Sequence, residues 1–154
     1  MNANLAVQLA GISKSFPGVV ANSNVDLRVK AGEVHALCGE NGAGKSTLMK
    51  ILYGMLQPDS GTIEVDGKPV RFRSPSDAIK AGIGMVHQHF MLADNLTVAE
   101  NIILGAEPSR GGLINRRAAR KRIGEISDAY GLGLRPDVLV ETLGVGDRQR
   151  VEIC

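Results

Sequence analysis

Residues 39–47 read Gly-Glu-Asn-Gly-Ala-Gly-Lys-Ser-Thr. The spacing Gly-x-x-x-x-Gly-Lys-Ser belongs to a loop that leaves a strand and opens a helix, so it constrains the chain on both sides. Upstream lies the apolar run Val-His-Ala-Leu-Cys at 34–38, and downstream the helix-like stretch Leu-Met-Lys-Ile-Leu-Tyr at 48–53. Strand, loop and helix are therefore all expected. Gly39, Gly42 and Gly44 can take backbone angles closed to other residues and bring N–H groups against phosphate oxygens. The helix start adds unpaired N–H donors and the positive end of a dipole. Lys45 suits the β- and γ-phosphates as a point charge. The Ser46 hydroxyl is a hard oxygen ligand of the kind Mg²⁺ prefers, and Thr47 would help hold the α-phosphate side. The implied ligand class is a nucleoside triphosphate with magnesium; the bland alternative is a Gly-rich turn with a chance Lys.

The rest of the chain sorts into short elements. Residues 3–9 alternate weakly and 25–29 cleanly, and both are predicted strands. Residues 61–65 and 68–72, joined by Asp66-Gly67, form the strongest hairpin signal. Ser74-Pro75 predicts a helix to about Ala81, with Ser74 as cap and Gly82 as stop. Residues 83–87 read as a short buried strand. Thr97-Val-Ala-Glu100 is a capping box opening a helix to about Leu104. Residues 105–112 read as a loop. Asn115 caps a longer helix, 116–130, whose Ala119, Ile123, Ile126 and Tyr130 are spaced to face a core. Residues 147–153 look like the start of another helix.

With 154 residues, this is about one domain's worth of chain. The net charge of +2 gives no general argument for nucleic acid. The basic run Arg-Arg-Ala-Ala-Arg-Lys-Arg at 116–122 sits on a helix with an apolar face, and reads as a solvated face. No apolar stretch approaches the roughly 20 residues of a membrane span, and no secretory signal opens the chain. Cys38 ends a predicted core strand and Cys154 is the last residue, which fits a reducing compartment rather than a disulfide framework. His87 and His89 flank Gln88, but without further ligands nearby they read as loop or strand-end histidines.

Four stretches, taken in order, resemble the ATP-binding subunit of ATP-binding-cassette (ABC) transporters over essentially the whole chain. Phe16, in Lys-Ser-Phe-Pro-Gly at 14–18, stands where that family stacks an aromatic ring on adenine. Gln88, in Gly-Met-Val-His-Gln-His-Phe at 84–90, looks like the Q-loop glutamine, which ligates Mg²⁺ or orients the attacking water. Residues 143–150, Leu-Gly-Val-Gly-Asp-Arg-Gln-Arg, resemble the signature Leu-Ser-Gly-Gly-Gln. Gly144 replaces its Ser, Val145 its first Gly and Asp147 its Gln, while Gly146 remains. The Ser hydroxyl of the family contacts the γ-phosphate of ATP on an opposing domain, so Gly144 implies a weakened composite site. Residues 85–105 are similar in wording to importers of simple sugars and especially nucleosides.

The resemblance implies an α/β fold, a P-loop NTPase of ABC ATPase type with an N-terminal antiparallel β subdomain and a helical subdomain, truncated before the Walker B strand. It implies one partial domain over 1–154: a β-rich phosphate-loop part to about 90, a helical subdomain over about 91–145, and an unfinished helix over 146–154. ATP and Mg²⁺ are the implied cofactors. The nucleotide-binding set is Phe16 with Gly39, Glu40, Asn41, Gly42, Ala43, Gly44, Lys45, Ser46 and Thr47. Lys45 and Gln88 are the implied catalytic residues, Ser46 and Gln88 the Mg²⁺ ligands, and Gly144–Asp147 the face toward an opposing ATP. Implied partners are transmembrane permease subunits, a second ATPase domain and, indirectly, a substrate-binding protein, on the inner face of the cell membrane in the cytoplasm. A soluble P-loop kinase or NTPase and a non-catalytic ATP-binding regulatory module remain open as alternatives; no Asn-Lys-x-Asp guanine motif occurs.

In the family an apolar strand ending in Asp, then a Glu, and later a His follow the signature; no such residues follow it in these 154. The 154-residue chain alone is therefore expected to release phosphate from ATP slowly or not at all. Steady-state release at a normal subunit rate, abolished by Lys45→Ala, would overturn that expectation.

Overall fold

The computed structural model describes residues 5–87, 91–105, 109–110 and 113–154. They form two compact units, Met1–Met85 and Val86–Cys154.

The first unit is built on a four-stranded antiparallel sheet. Its strands are β1 (Leu5–Phe16), β2 (Val19–Lys30), β3 (Ser60–Val65) and β4 (Lys68–Val70), in the order β2-β1-β3-β4. The Asp66-Gly67 turn joins β3 to β4 with both residues at positive φ, 49° and 70°, as a tight two-residue hairpin turn requires. Pairing places Leu27, Leu9, Ile63 and Val70 in one row across the sheet. The first helix, α1 (Lys45–Leu52), lays Leu48 and Ile51, three positions apart, into the same apolar cluster. Phe72 and Ala78 of α2 (Pro75–Lys80) complete that cluster. Leu9, Leu48 and Ile51 are fully buried, which stabilises the unit by about 1.5–3 kcal/mol for each side chain.

Several sequence expectations are corrected here. The first strand runs on to Phe16, and the second hairpin strand stops at Val70. Residues 34–38 are not a strand: they take no ladder partner among the described residues, and Val34 and Cys38 are exposed. An apolar run supplies side chains for a central strand, but the strand exists only when neighbours accept its backbone bonds. Residues 83–87 fail as a strand for the same reason, although Ile83 packs against the first unit's core. Ser74 sits at the start of α2 without capping it through its side chain. Asp77 acts there instead: its carboxylate accepts the Arg73 N–H at 2.9 Å, which holds its pKa below the usual range.

The second unit is largely helical. It holds α3 (Val98–Ile103), a short ladder of β5 (Ser109–Arg110), within the expected loop, with β6 (Leu113–Ile114), just after it, α4 (Arg116–Ala129), a 3₁₀ turn (Val140–Thr142) and α5 (Val145–Ile153). Val98, Val140 and Val151 make its core. Two extended stretches bring those residues together, through Val98 N–H to Val138 O at 2.9 Å and Val140 N–H to Leu96 O at 3.0 Å. Asn115 caps α4, accepting the Ala118 N–H at 3.0 Å. Ala119 and Ile123 are buried on α4, but Tyr130 is exposed, because the helix has ended at Ala129 before its ring can turn inward. The Arg and Lys side chains of α4 are solvated, with ion pairs from Arg116 to Glu100, Arg120 to Asp137, and Lys121 and Arg122 to Glu125.

The capping box forms as expected. Thr97 Oγ1 accepts the Glu100 N–H at 3.3 Å, and Glu100 Oε2 accepts the Thr97 N–H at 3.0 Å. Thr97→Ala is expected to lower unfolding free energy by about 1 kcal/mol in urea titrations. The Thr97 N–H, followed by the Thr97 hydroxyl, holds the Glu100 carboxyl below the usual glutamate range. Its contribution is thus complete above about pH 4.3, the ordinary glutamate value, and fades as pH falls through the lower folded value. Glu100→Gln is expected to flatten that part of the pH–stability curve.

Candidate phosphate-binding site

The site starts where the chain leaves residues 34–38 without a ladder and enters α1. Gly42 and Gly44 hold φ of 87° and 83°, angles that L side chains rarely adopt. Between them the loop closes on itself, the Ala43 N–H donating to Glu40 O at 3.2 Å. Lys45, the first residue of α1, folds back over the loop. Its ammonium donates to Gly39 O at 2.6 Å and Glu40 O at 2.7 Å. The positive charge is thereby held at the carbonyls of Gly39 and Glu40. Ser46 is exposed and Thr47 half-buried on the first turn, where helix geometry leaves backbone N–H groups without intrahelical acceptors.

A residue that sequence reasoning missed holds this loop in place. Asn22, on β2, is 5% exposed and donates from Nδ2 to Gly44 O at 3.2 Å. The same carbonyl accepts the Leu48 N–H at 2.9 Å, so one oxygen ties the loop to both sheet and helix. Asn22 Oδ1 is enclosed and accepts no hydrogen bond among the described residues. A Cβ on Gly44 would lie 2.0 Å from Ala21 O and 2.7 Å from Asn22 Nδ2. The motif explains Gly44 by its backbone angle; the structure adds that β2 occupies the space of a side chain. Nothing in the sequence marked Asn22, which lies outside the predicted strand 25–29 and joins β2 only in the structure.

Phe16 lies at the end of β1, in the same unit, beside the Pro17-Gly18 turn. It is 40% exposed rather than a core aromatic, and the Lys14 ammonium sits 5.8 Å from its ring centroid. Gln88 lies outside the described residues.

Gly144, Val145, Gly146 and Asp147 lie on the other unit. Gly144 is the extended N-cap of α5, its carbonyl accepting the Asp147 and Arg148 N–H groups at 3.1 and 3.0 Å. Val145 is 72% exposed, and a Cβ on Gly144 or Gly146 would meet nothing within 4 Å. Packing therefore does not demand Gly at 144. Asp147 pairs with Arg150 at 3.0 Å. Arg148, also missed by sequence reasoning, fixes the start of α5. Its guanidinium bonds Asp94 Oδ1 at 2.7 Å, Leu143 O at 3.2 Å and Glu141 O at 3.4 Å.

Taken by chemistry, the loop offers left-handed glycines, a fixed ammonium, an exposed hydroxyl and a helix start. These suit the oxygens of a polyphosphate and a hard divalent cation. The ABC transporter family profile matches residues 22–154. The guanosine import ATP-binding protein NupO of Bacillus subtilis is 54% identical over 147 residues, covering 96% of this chain and 29% of that protein. A nucleoside import ATP-binding protein of Lactococcus lactis is 53% identical, with the same coverage. The chain thus spans under a third of the length of these relatives. Among solved structures, cbiO1 of Clostridium perfringens superposes with a TM-score of 0.76 at 28% identity, over 97% of this chain and 60% of that one. A nucleotide-free ATP-binding cassette superposes at 0.80 with 24% identity, which speaks to the fold.

The Gly44 contacts give a direct test. Gly44→Ala combines a left-handed backbone angle with a clash against the Ala21 carbonyl. It is expected to destabilise the chain by about 1–3 kcal/mol or more in chemical denaturation. Gly144→Ala, with open space around it, should shift the midpoint far less.

Proposed function

The chain belongs to the ABC transporter family, and on that premise we propose that its phosphate loop binds Mg·ATP, and that in the full-length protein this binding drives import of a nucleoside or simple sugar across a membrane. The observation that carries the reading is the Lys45 ammonium held across the carbonyls of Gly39 and Glu40, beside Gly42 and Gly44 in left-handed geometry. An ammonium in that place can pass its donors to phosphate oxygens without a change of chain path. Gly39, Glu40, Asn41, Gly42, Ala43, Gly44, Ser46 and Thr47 line the phosphates through backbone and hydroxyl groups. Ser46, with Gln88, would ligate Mg²⁺, which neutralises phosphate charge when bound. The half-exposed Phe16 ring offers a stacking surface for the base.

The substrate class follows the relatives, whose names specify guanosine and nucleoside import. In this reading, residues to about 90 form the phosphate-loop part, 91–145 the helical subdomain, and 146–154 open the helix after the signature. Gly144–Asp147, presented on the open first turn of α5, would face ATP held by a second ATPase domain. Transmembrane permease subunits would be the membrane partners, with a substrate-binding protein acting through them, at the cytoplasmic face. Among the described residues no helix is long and apolar enough to cross a membrane. Hydrolysis in such proteins is in-line attack of water on the γ-phosphate, accelerated by positioning and charge.

A second reading is a regulatory module that binds ATP without turnover. Gly144 favours it, since an N–H alone replaces a hydroxyl at the signature. Binding measured apart from phosphate release separates the two.

Lys45→Ala removes the charge that the loop holds in place. Its affinity for ATP, titrated by calorimetry with Mg²⁺, is expected to fall about tenfold or more, with unfolding little changed. Unchanged affinity would remove the basis of the proposal.

A further inference from the structure

Phe16 ends β1 where the ladder is irregular. Pairing passes from Lys14↔Asn22 to Ser15↔Val20, so Ala21 is left over on β2. At such a bulge the alternation of faces breaks, and the strand alone does not decide where the next side chains point. Asp59, in the loop that leads into β3, supplies the missing constraint. Its Oδ1 accepts from Lys14 Nζ at 2.7 Å, and its Oδ2 accepts the Ser15 N–H at 2.7 Å. Its own N–H donates to Ser13 O at 2.8 Å. Three consecutive residues before Phe16 are thus bonded to one aspartate.

The consequence reaches the ring through Lys14. The Lys14 side chain is 17% exposed, and its ammonium, fixed by Asp59, lies over the Phe16 ring at 5.8 Å from the centroid. That distance is within the range of a cation–π contact. The ring is therefore oriented on one side while much of its surface stays open. The bond from Lys14, and then that from the Ser15 N–H, hold the Asp59 carboxyl below the usual range, so it stays ionised at neutral pH. Among the described residues, the hydrogen bonds of the Asp59 side chain go to Lys14 and Ser15, not to residues 39–47.

We propose that Asp59 is a positioning residue for the nucleotide base: by fixing Lys14 and the backbone of residues 13–15, it sets the Phe16 ring in the orientation on which a purine stacks. This rests on the reading of Phe16 as the base-stacking surface. Base binding then depends on a carboxylate that touches neither base nor phosphate.

The test compares two ligands on the full 154-residue chain by calorimetry: ATP, and inorganic tripolyphosphate, which has the phosphates without the base. Phe16→Ala is expected to lower ATP affinity about tenfold, the scale of a lost base–aromatic stack. Asp59→Ala is expected to lower it roughly fivefold, with tripolyphosphate affinity unchanged in both variants. The double variant should lose no more than Phe16→Ala alone, since both act through one ring. Equal loss of both ligands in Asp59→Ala, or no loss of either, overturns the proposal. If Asp59→Ala does not fold, Lys14→Met decides: it keeps the Ser15 bond and should lower the ATP-to-tripolyphosphate ratio partly, and an unchanged ratio overturns the proposal. If Phe16→Ala leaves the ratio unchanged, the base-stacking reading itself fails and the proposal with it. If Phe16→Ala lowers the ratio and neither Asp59→Ala nor Lys14→Met does, only the role of Asp59 fails.

Discussion

The phosphate loop keeps its shape because β2 runs against Gly44. The Ala21 carbonyl fills the place of a side chain there, and Asn22 bonds the carbonyl of Gly44 from within a buried site. That carbonyl also starts the hydrogen-bond ladder of α1 through the Leu48 N–H. The helix is therefore seated at one end by its own cap and along its length by Leu48 and Ile51 on the row Leu27–Leu9–Ile63. Loosening either set would let the start of α1, and Lys45 with it, drift from the loop. The register shift that leaves Ala21 unpaired serves this contact as well as the hairpin end that carries Phe16.

The same economy appears in the second unit. There Arg148 reaches Asp94 and the carbonyls of Glu141 and Leu143, and so fixes how the chain enters α5. Val151, further along that helix, closes the core made by Val98 and Val140. Gly144–Asp147 stand on the open first turn of a helix anchored at both ends. In each unit, one polar side chain fixes the backbone at the start of a helix: Asn22 at the carbonyl of Gly44, and Arg148 at the carbonyls of Glu141 and Leu143.

Local signals were legible where local physics sets the outcome. The turn at Asp66-Gly67 needs two residues at positive φ, and its sequence supplies them. The Thr97–Glu100 box satisfies backbone groups within one turn, so it forms wherever the helix does. The Asn115 cap and the buried pair Ala119 and Ile123 follow for the same reason. Residues 34–38 and 83–87 were misread because a central strand is a property of its neighbours. Tyr130 was misread because helical spacing was carried one residue past the helix end, to the C-cap. Asn22, Asp59 and Arg148 were invisible because each has a partner distant in sequence: Gly44, Lys14 with Ser15, and Asp94.

The sequence by itself determined the family, because the spacing of Gly39–Thr47 and the stretches at Phe16, Gln88 and 143–150 are local patterns of residue types. It also determined the hairpins and helices whose bonds close within a few residues. Only the tertiary structure decided that Lys45 lies across the loop carbonyls, that Gly44 must lack a side chain for reasons beyond its φ, and that Asp59 reaches the strand end before Phe16. The last two arrangements join residues far apart in sequence, Asn22 to Gly44 over 22 positions and Ser15 to Asp59 over 44. Their geometry comes from the packing of sheet on helix, which no local pattern encodes.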